Sequence, residues 1–149
     1  PYNPNLKETK IPKEKMTADK EDQGQVRDLK ILMAEDDEIS AKLLGLTIKE
    51  IAKTVLRARN GVEAVDLARN NPDIDLILMD VQMPKMDGYE ATRHIRKQNK
   101  WAKLPVIALT AKAMKDDREK CIAAGANDYI TKPVDMDRLI SLMQLWLEN

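Results

Sequence analysis

Short apolar segments alternate with amphipathic helical segments along most of this chain, and this alternation is the feature that most limits its fold. Two consecutive strands separated by a helix run parallel, joined by a crossover that is right-handed in nearly all proteins. The apolar segments that indicate strands cover residues 29–34, 54–58, 76–79, 106–109 and 128–130. We therefore expect an α/β fold, a doubly wound five-stranded parallel sheet with helices on both faces.

The helices are indicated by apolar residues that recur every three or four positions. Ile39, Leu43 and Leu46 predict a helix after the first strand. Asp87 is suited to cap the third helix, and Gly125 is suited to end the fourth. The other helical faces are predicted at Ala64, Leu67 and Ala68, at Met114, Arg118, Cys121 and Ile122, and at Leu139, Leu142, Met143 and Trp146.

A chain of 149 residues suits one domain with a proper core. Residues 1–28 combine prolines with charged residues and few apolar ones, so we expect a linker or tail there and the folded domain over residues 29–149. The 25 basic and 25 acidic residues give no net charge, which does not support nucleic-acid binding. Cys121 is the single cysteine, which excludes an internal disulfide and is typical of a reducing compartment. No apolar run is long enough to cross a membrane.

Polar side chains follow the strands at the points where the strands end. Acids follow the first and third strands, and a hydroxyl and an ammonium group follow the fourth and fifth. In chain order the residues that follow the strands are Glu35, Asp36 and Asp37, then Arg59, Asn60 and Gly61, then Asp80, then Thr110 and Ala111, then Thr131, Lys132 and Pro133. Because parallel strands end at one edge of the sheet, where open α/β sheets bind ligands, we expect these groups to converge.

The chemistry of these groups favours phosphoryl transfer. Crowded carboxylates repel one another, and a divalent cation relieves the repulsion. Mg²⁺ prefers a few carboxylates together with waters and phosphate oxygens. Lys132 and Thr110 instead suit an anion, by charge and by a hydrogen bond. Each group alone is commonly a solvated loop residue, but the combination indicates phosphoryl transfer to an aspartate, with Asp80 as the acceptor.

Four motifs resemble the receiver domain of two-component response regulators, over residues 29–147. They are ILMAEDD at 31–37, LMDVQMPKMDG at 78–88, ALTA at 108–111 and YITKP at 129–133. The resemblance implies a flavodoxin-like (βα)5 fold with strand order 2-1-3-4-5 and a cis peptide between Lys132 and Pro133. The chain is also similar to receivers at the C-terminus of hybrid sensor histidine kinases, and we expect this origin rather than a stand-alone regulator.

The resemblance also implies a role for each matching residue. Asp80 would take a phosphoryl group from a phosphohistidine. Gln82 and Lys112 flank the site, and our own hypothesis is that they tune how fast water removes that group. The implied Mg²⁺ ligands are Glu35 (mostly through water), Asp36, Asp80 and the backbone carbonyl of Gln82. The implied phosphoryl-binding and switch residues are Thr110, Lys132 and Tyr129, with Asp37, Ala111 and Pro133 as accessory positions.

The implied partner is a histidine kinase dimerisation domain or a histidine phosphotransfer protein. We expect a cytoplasmic monomer without membrane contact, whose parent protein could itself be membrane-anchored. The rival function is a Mg²⁺-dependent phosphatase or phosphotransferase with an Asp nucleophile. The haloacid dehalogenase type needs a second acid two residues after the nucleophile, where this chain has Gln82. We therefore expect a signalling module rather than an enzyme, with His94 on the surface and Cys121 in the core.

Overall fold

The computed structural model describes residues 26–98, 103–111 and 114–148 of the chain. In this part strands and helices alternate strictly, as the sequence predicts. The elements are β1 (Arg27–Ala34), α1 (Glu38–Ile48), β2 (Ala52–Ala58), α2 (Gly61–Asn70), β3 (Leu76–Asp80), α3 (Gly88–Arg96), β4 (Val106–Thr110), α4 (Lys115–Ala124), β5 (Asp128–Thr131) and α5 (Met136–Leu147). All neighbouring strands pair in parallel in the order β2-β1-β3-β4-β5, which confirms the expected fold.

Helices cover both faces of the sheet, and the central strands are apolar for that reason. Every residue of β3 and β4 is buried. Alternate residues of β1 serve opposite faces: Leu32 packs with α2, α3 and α4, whereas Ile31 and Met33 pack with α1 and α5. Full burial of such a side chain contributes about 1.5–3 kcal/mol. In these two fully buried strands the polar residues are confined to the final positions, Asp80 and Thr110. Both lie at the edge where the parallel strands end, called here the carboxyl edge.

At the carboxyl edge, side-chain caps start α1, α2, α3 and α5, whereas Met114 at the start of α4 makes no side-chain cap hydrogen bond. The carboxylate of Asp37 accepts a hydrogen bond from the backbone N–H of Ser40, and Asp87 accepts one from Glu90 in the same way. The Asp87 cap confirms the sequence prediction. At its other end α4 stops at Gly125, whose φ of 113° is in the left-handed region that glycine adopts most readily.

Helix α1 buries a different face from the one predicted. Ile39, Leu43 and Leu46 are 73%, 52% and 58% exposed. The face that packs against the sheet consists of Ala41, Leu44 and Ile48. Both rows have helical spacing, so periodicity does not distinguish them. The buried row begins with the small side chain of Ala41, and the row that is left in solvent consists of larger apolar side chains.

The predicted face of α4 is also wrong in part. Cys121 is buried as expected, together with Ala124. Met114 and Ile122 are 67% and 54% exposed, and Arg118 is exposed as well. This short, charged helix packs on its neighbours through the small side chains of Cys121 and Ala124, and its larger apolar side chains are exposed to solvent.

The boundaries of the elements differ slightly from the predicted ones. β1 begins at Arg27, before the predicted start of the folded domain at residue 29. Residues 1–25 of the predicted linker, as well as Trp101 and Lys112, lie outside the described residues. Among the helices that the structure describes, none combines the length and the apolar character that a bilayer-spanning segment needs.

Candidate functional site

Three of the predicted site residues meet at the carboxyl edge. Glu35 follows β1, Asp80 ends β3, and both are buried, with 1% and 3% exposure. Lys132 follows β5, and its Nζ donates to Oδ2 of Asp80 at 2.7 Å and to Oε1 of Glu35 at 3.1 Å. One ammonium group therefore bridges two buried carboxylates that come from segments far apart in the chain.

A third carboxylate completes an acidic cluster at this edge. Asp36 is exposed, and carboxylate oxygens of Glu35, Asp36 and Asp80 lie within 4.8 Å of one another. Hard oxygen donors, some buried and one open to solvent, are the ligands that Mg²⁺ prefers in proteins, since it keeps several waters. The residues that are present therefore fit a Mg²⁺ ion.

Burial and charge shift the pKa values in this cluster. Burial raises the pKa of Glu35 above its usual range, and the neighbouring charge of Asp80 raises it further. Hydrogen bonds from the backbone N–H of Asp37 and from Lys132 oppose this shift without cancelling it. For Lys132, burial alone would lower the pKa, but the hydrogen bonds and charges of Asp80 and Glu35 outweigh burial and raise it. Lys132 therefore remains an ammonium group at neutral pH.

The loop after β3 brings the backbone close to Asp80. The N–H of Gln82 donates to Oδ1 of Asp80 at 3.1 Å, so each carboxylate oxygen of Asp80 has its own donor. Farther along the loop, Gly88 packs against the backbone of Asp80 so closely that a Cβ there would collide with the Asp80 carbonyl oxygen. The glycine is required by this close approach, which returns the loop to the strand end.

Two further predicted residues lie on the next two strands of the sheet, β4 and β5. Thr110 ends β4 and is 2% exposed, and its backbone oxygen accepts a hydrogen bond from the N–H of Lys132 at 2.7 Å. Tyr129 lies on β5, half-buried against the apolar cluster under α2, α3 and α4. A backbone hydrogen bond thus joins the end of β4 to the residue that holds Asp80.

The predicted accessory residues lie around this site without joining the charge cluster. The carboxylate of Asp37 is used to cap α1, with Oδ2 2.8 Å from the nitrogen of Ser40. Ala111 and Pro133 are exposed. The peptide bond between Lys132 and Pro133 is cis, as the sequence predicts.

His94 lies away from the site. Its side chain is 43% exposed and its Nε2 is 3.8 Å from a carboxylate oxygen of Glu90 on the same helix, which confirms the expected surface position.

Arg57 on β2 is a site neighbour that the sequence reasoning missed. Its guanidinium group donates to the backbone carbonyl oxygen of Glu35 from Nε at 3.2 Å and from Nη2 at 3.0 Å. The same Nη2 lies 3.3 Å from the carbonyl oxygen of Asp36, and Nη1 lies 2.9 Å from Oε1 of Glu38. The available signal was a charged residue inside an otherwise apolar strand segment, TVLRA at residues 54–58.

Comparison with known proteins agrees with this geometry. Residues 31–144 match the family model of the response regulator receiver domain. The chain is similar to the polar-differentiation response regulator DivK of Brucella anthropi, with 39% identity over 117 residues, which are 78% of this chain and 94% of DivK.

Two solved structures add to the comparison. The receiver domain of sensor histidine kinase PA1611 from Pseudomonas aeruginosa PAO1, with a magnesium ion coordinated in its active site cleft, has a TM-score of 0.75 and 36% identity, covering 83% of this chain and 100% of that one. A chain from the co-crystal of the Saccharomyces cerevisiae histidine phosphotransfer signaling protein Ypd1 and the receiver domain of its downstream response regulator Ssk1 has a TM-score of 0.72 and 32% identity, covering 81% of this chain and 90% of that one.

Proposed function

Since this chain belongs to the response regulator receiver domain family, whose members act in two-component signalling and generally accept a phosphoryl group, we propose that Asp80 is its phosphoacceptor. The observation that carries the proposal is the bridge from Lys132 to Asp80 at 2.7 Å, beside the buried carboxylate of Glu35. Asp80 is held at the end of a central strand with a donor on each oxygen. A carboxylate that is held in one orientation is positioned for in-line attack on phosphorus.

The acidic cluster is assigned to a Mg²⁺ ion. Asp36, Asp80 and the backbone carbonyl of Gln82 are the proposed direct ligands, and Glu35 contributes mostly through water. Support comes from the spacing of the three carboxylates within 4.8 Å and from the magnesium ion in the similar PA1611 receiver. When bound, the ion offsets negative charge on the transferring phosphoryl oxygens.

The residues of this chain have separate tasks in the transfer. A carboxylate oxygen of Asp80 forms a bond to phosphorus while the bond from phosphorus to the donor histidine nitrogen breaks, and that nitrogen keeps the electron pair. Lys132 is released from the carboxylate as Asp80 becomes an acyl phosphate, and its ammonium group then holds a phosphoryl oxygen. The hydroxyl of Thr110 donates to another. The product is an aspartyl phosphate that adds about one to two negative charges at this edge.

The same residues are proposed to convert phosphorylation into a change of conformation. The hydrogen bond between the N–H of Lys132 and the carbonyl of Thr110 couples the ends of β4 and β5. Movement of Thr110 towards the phosphoryl group would vacate space beside β5, and Tyr129 is the half-buried side chain on β5 that is proposed to turn inward. The added charge would thereby shift the equilibrium between two conformations of the β4–β5 side of the domain.

The proposed partner is a helical protein that carries the donor histidine, either a histidine phosphotransfer protein or the dimerisation domain of a histidine kinase. Support comes from the exposed row of Ile39, Leu43 and Leu46 on α1. Leu43 also lines a groove of about 250 Å³ that reaches Lys132. Such a groove has room for a few apolar side chains from the face of an amphipathic partner helix. In the similar Ssk1 complex the partner is a histidine phosphotransfer protein.

Three of the expectations about context stay predictions. These are the monomeric state, the cytoplasmic location, and the origin of the domain in a hybrid kinase. The rival phosphatase function is not favoured, because Gln82 occupies the place where the haloacid dehalogenase type has its second acid and uses its backbone N–H to orient Asp80.

The proposal is tested by incubating the purified protein with phosphoramidate and Mg²⁺ and measuring its intact mass. The wild type should gain one phosphoryl group, and should not gain it when the metal is removed with a chelator. Asp80→Asn should gain none. Asp87→Asn is the matched control, since Asp87 is an exposed acid at the same edge that only caps α3, and it should be phosphorylated like the wild type. Phosphorylation of Asp80→Asn at the wild-type rate would contradict the proposal.

A further inference from the structure

We propose that Arg57 is a positioning residue that holds the metal-binding loop in register, through contacts with its backbone rather than with its carboxylates. This inference rests on the proposed function, because the loop of residues 35–37 carries two of the proposed Mg²⁺ ligands. Nothing in the resemblance assigned a role to Arg57.

Arg57 extends the pairing of β1 with β2 beyond the last strand residues. The N–H of Glu35 donates to the carbonyl oxygen of Ala58 at 3.0 Å, which continues the ladder by one bond. Beyond this bond, the carbonyl oxygens of Glu35 and Asp36 both accept hydrogen bonds from the guanidinium group of Arg57. The side chain thus replaces the strand partner that the loop has lost.

The placement of Arg57 supports a specific task. It pairs in register with Met33, and its side chain is only 19% exposed. A largely buried charge is costly unless it is fully hydrogen-bonded. The planar fork of a guanidinium group can serve two carbonyls and a carboxylate at once, which the ammonium group of a lysine does less well. The third partner here is Glu38 at 2.9 Å, in the first turn of α1.

These contacts fix the backbone on which the ligands are carried. The side chains of Glu35 and Asp36 start from the residues whose carbonyls Arg57 holds, and Glu38 adds a third attachment just after the loop. A loop with three consecutive acids repels itself, so without this restraint its carboxylates would spread apart. The separation of the metal-binding oxygens therefore depends on Arg57.

Arg57 has two opposing effects on the affinity of the site for Mg²⁺, and their net result can be measured. Its positive charge disfavours a nearby cation, whereas its restraint of the loop favours one. The charge is partly neutralised by Glu38 and faces carbonyl oxygens, so the restraint should dominate. Loss of a residue that supports metal ligands typically weakens metal affinity about 10–100-fold. We expect a loss near the lower end of this range for Arg57→Ala.

The matched control is Arg59. It lies just after β2 and approaches the same acid, with Nε 3.8 Å from Oε2 of Glu38, from a side chain that is 61% exposed. Within the described part of the chain, the side chain of Arg59 does not hydrogen-bond to the carbonyls of residues 35 and 36. Arg59→Ala removes the same charge from the same neighbourhood and leaves the restraint in place.

The experiment measures the Mg²⁺ dissociation constant by calorimetry and amide hydrogen exchange of residues 35–38 in the metal-free protein, for wild type, Arg57→Ala, Arg57→Lys and Arg59→Ala. Circular dichroism identifies the variants that are folded. We expect weaker Mg²⁺ binding and faster exchange for both Arg57 variants, and wild-type behaviour for Arg59→Ala. The lysine variant keeps the charge and provides the test if the alanine variant does not fold.

Three results would overturn the inference, and one of them also bears on the proposed function. Wild-type exchange and Mg²⁺ affinity in the Arg57 variants would show that the loop is held without Arg57. Full retention of affinity by Arg57→Lys, with a loss in Arg57→Ala, would show that the guanidinium contacts with the two loop carbonyls are not required, because a lysine ammonium group would then be sufficient. If the wild type itself does not bind Mg²⁺, the proposed function fails, and the part of the inference that concerns metal affinity fails with it.

Discussion

The ammonium nitrogen of Lys132 lies 2.7 Å from Oδ2 of Asp80, across 52 positions of sequence. The two residues end up in contact because β3 and β5 run parallel on either side of β4 and end at the same edge. The contact, together with the N–H of Gln82 on the other oxygen, holds the Asp80 carboxylate in one orientation. It also means that the site can be tested through stability as well as through phosphorylation.

Replacing Lys132 should destabilise the metal-free protein. Lys132→Met leaves Glu35 and Asp80 as two buried carboxylates without their shared cation, and we expect a loss of about 1–3 kcal/mol in the free energy of unfolding. Mg²⁺ should restore part of this loss, because a cation in the cluster offsets the same two charges. Urea denaturation with and without Mg²⁺ measures both effects. Lys42→Met, an exposed lysine on α1, is the control, and an equal loss in that variant would contradict the explanation.

Removing the charge of Asp80 should have the opposite effect on the metal-free protein. Asp80→Asn leaves Glu35 paired with Lys132 and relieves the repulsion that raises the pKa of Glu35. We expect a melting temperature about 2–5 °C above that of the wild type, corresponding to about 1 kcal/mol. Asp36→Asn should give a smaller rise, because Asp36 is exposed and its charge is screened. A lower melting temperature for both variants would mean that the carboxylates do not repel one another.

The raised pKa of Glu35 predicts a specific dependence of stability on pH. A carboxyl group with a higher pKa in the folded state binds a proton more readily when folded, so its ionisation destabilises the fold as pH rises from its ordinary value of 4.5 through the raised pKa. Glu35→Gln removes this penalty. In metal-free buffer it should therefore be more stable than the wild type at neutral pH, and the difference should close as the pH falls towards 4.5. A difference that does not vary with pH would exclude Glu35 as the titrating group.

The exposed row on α1 should matter for transfer from a protein and not for transfer from a small molecule. Leu43→Ser removes an apolar contact at the proposed interface, and we expect the rate of transfer from a phosphorylated histidine phosphotransfer protein to fall about 3- to 10-fold. Labelling by phosphoramidate should not change. Ile122→Ser is the matched control, since Ile122 is 54% exposed and Leu43 is 52% exposed, and Ile122 lies on α4 instead. Equal losses in both variants would assign the effect to something other than this face.

The sequence predicted the parts of the fold that depend on local patterns. Apolar strands alternating with helical segments specify a doubly wound parallel sheet, because few other arrangements can bury both faces of such strands. The convergence of Glu35, Asp80 and Lys132 followed from the topology alone, since parallel strands end at one edge. The cap at Asp87 and the helix end at Gly125 were recognisable because each depends on one residue with a known preference.

The features that were missed depend on contacts between distant segments. Helix α1 carries two apolar rows, and only its packing against the sheet decides that Leu44 is buried and Leu43 is exposed. Arg57 was not recognised because its partners are backbone carbonyls of residues 35 and 36, and a backbone acceptor has no sequence signature. A side chain of that kind can be identified only when the adjoining strand is seen beside it.

The central claim is that Asp80 itself carries the phosphoryl group, and reductive trapping tests it most directly. Borohydride reduces an aspartyl phosphate to homoserine, which peptide mass spectrometry locates. After incubation with phosphoramidate and Mg²⁺, we predict homoserine at position 80, none when Mg²⁺ is omitted, and unmodified aspartate at positions 36, 37 and 87. Homoserine at one of those three positions, with aspartate intact at position 80, would contradict the account.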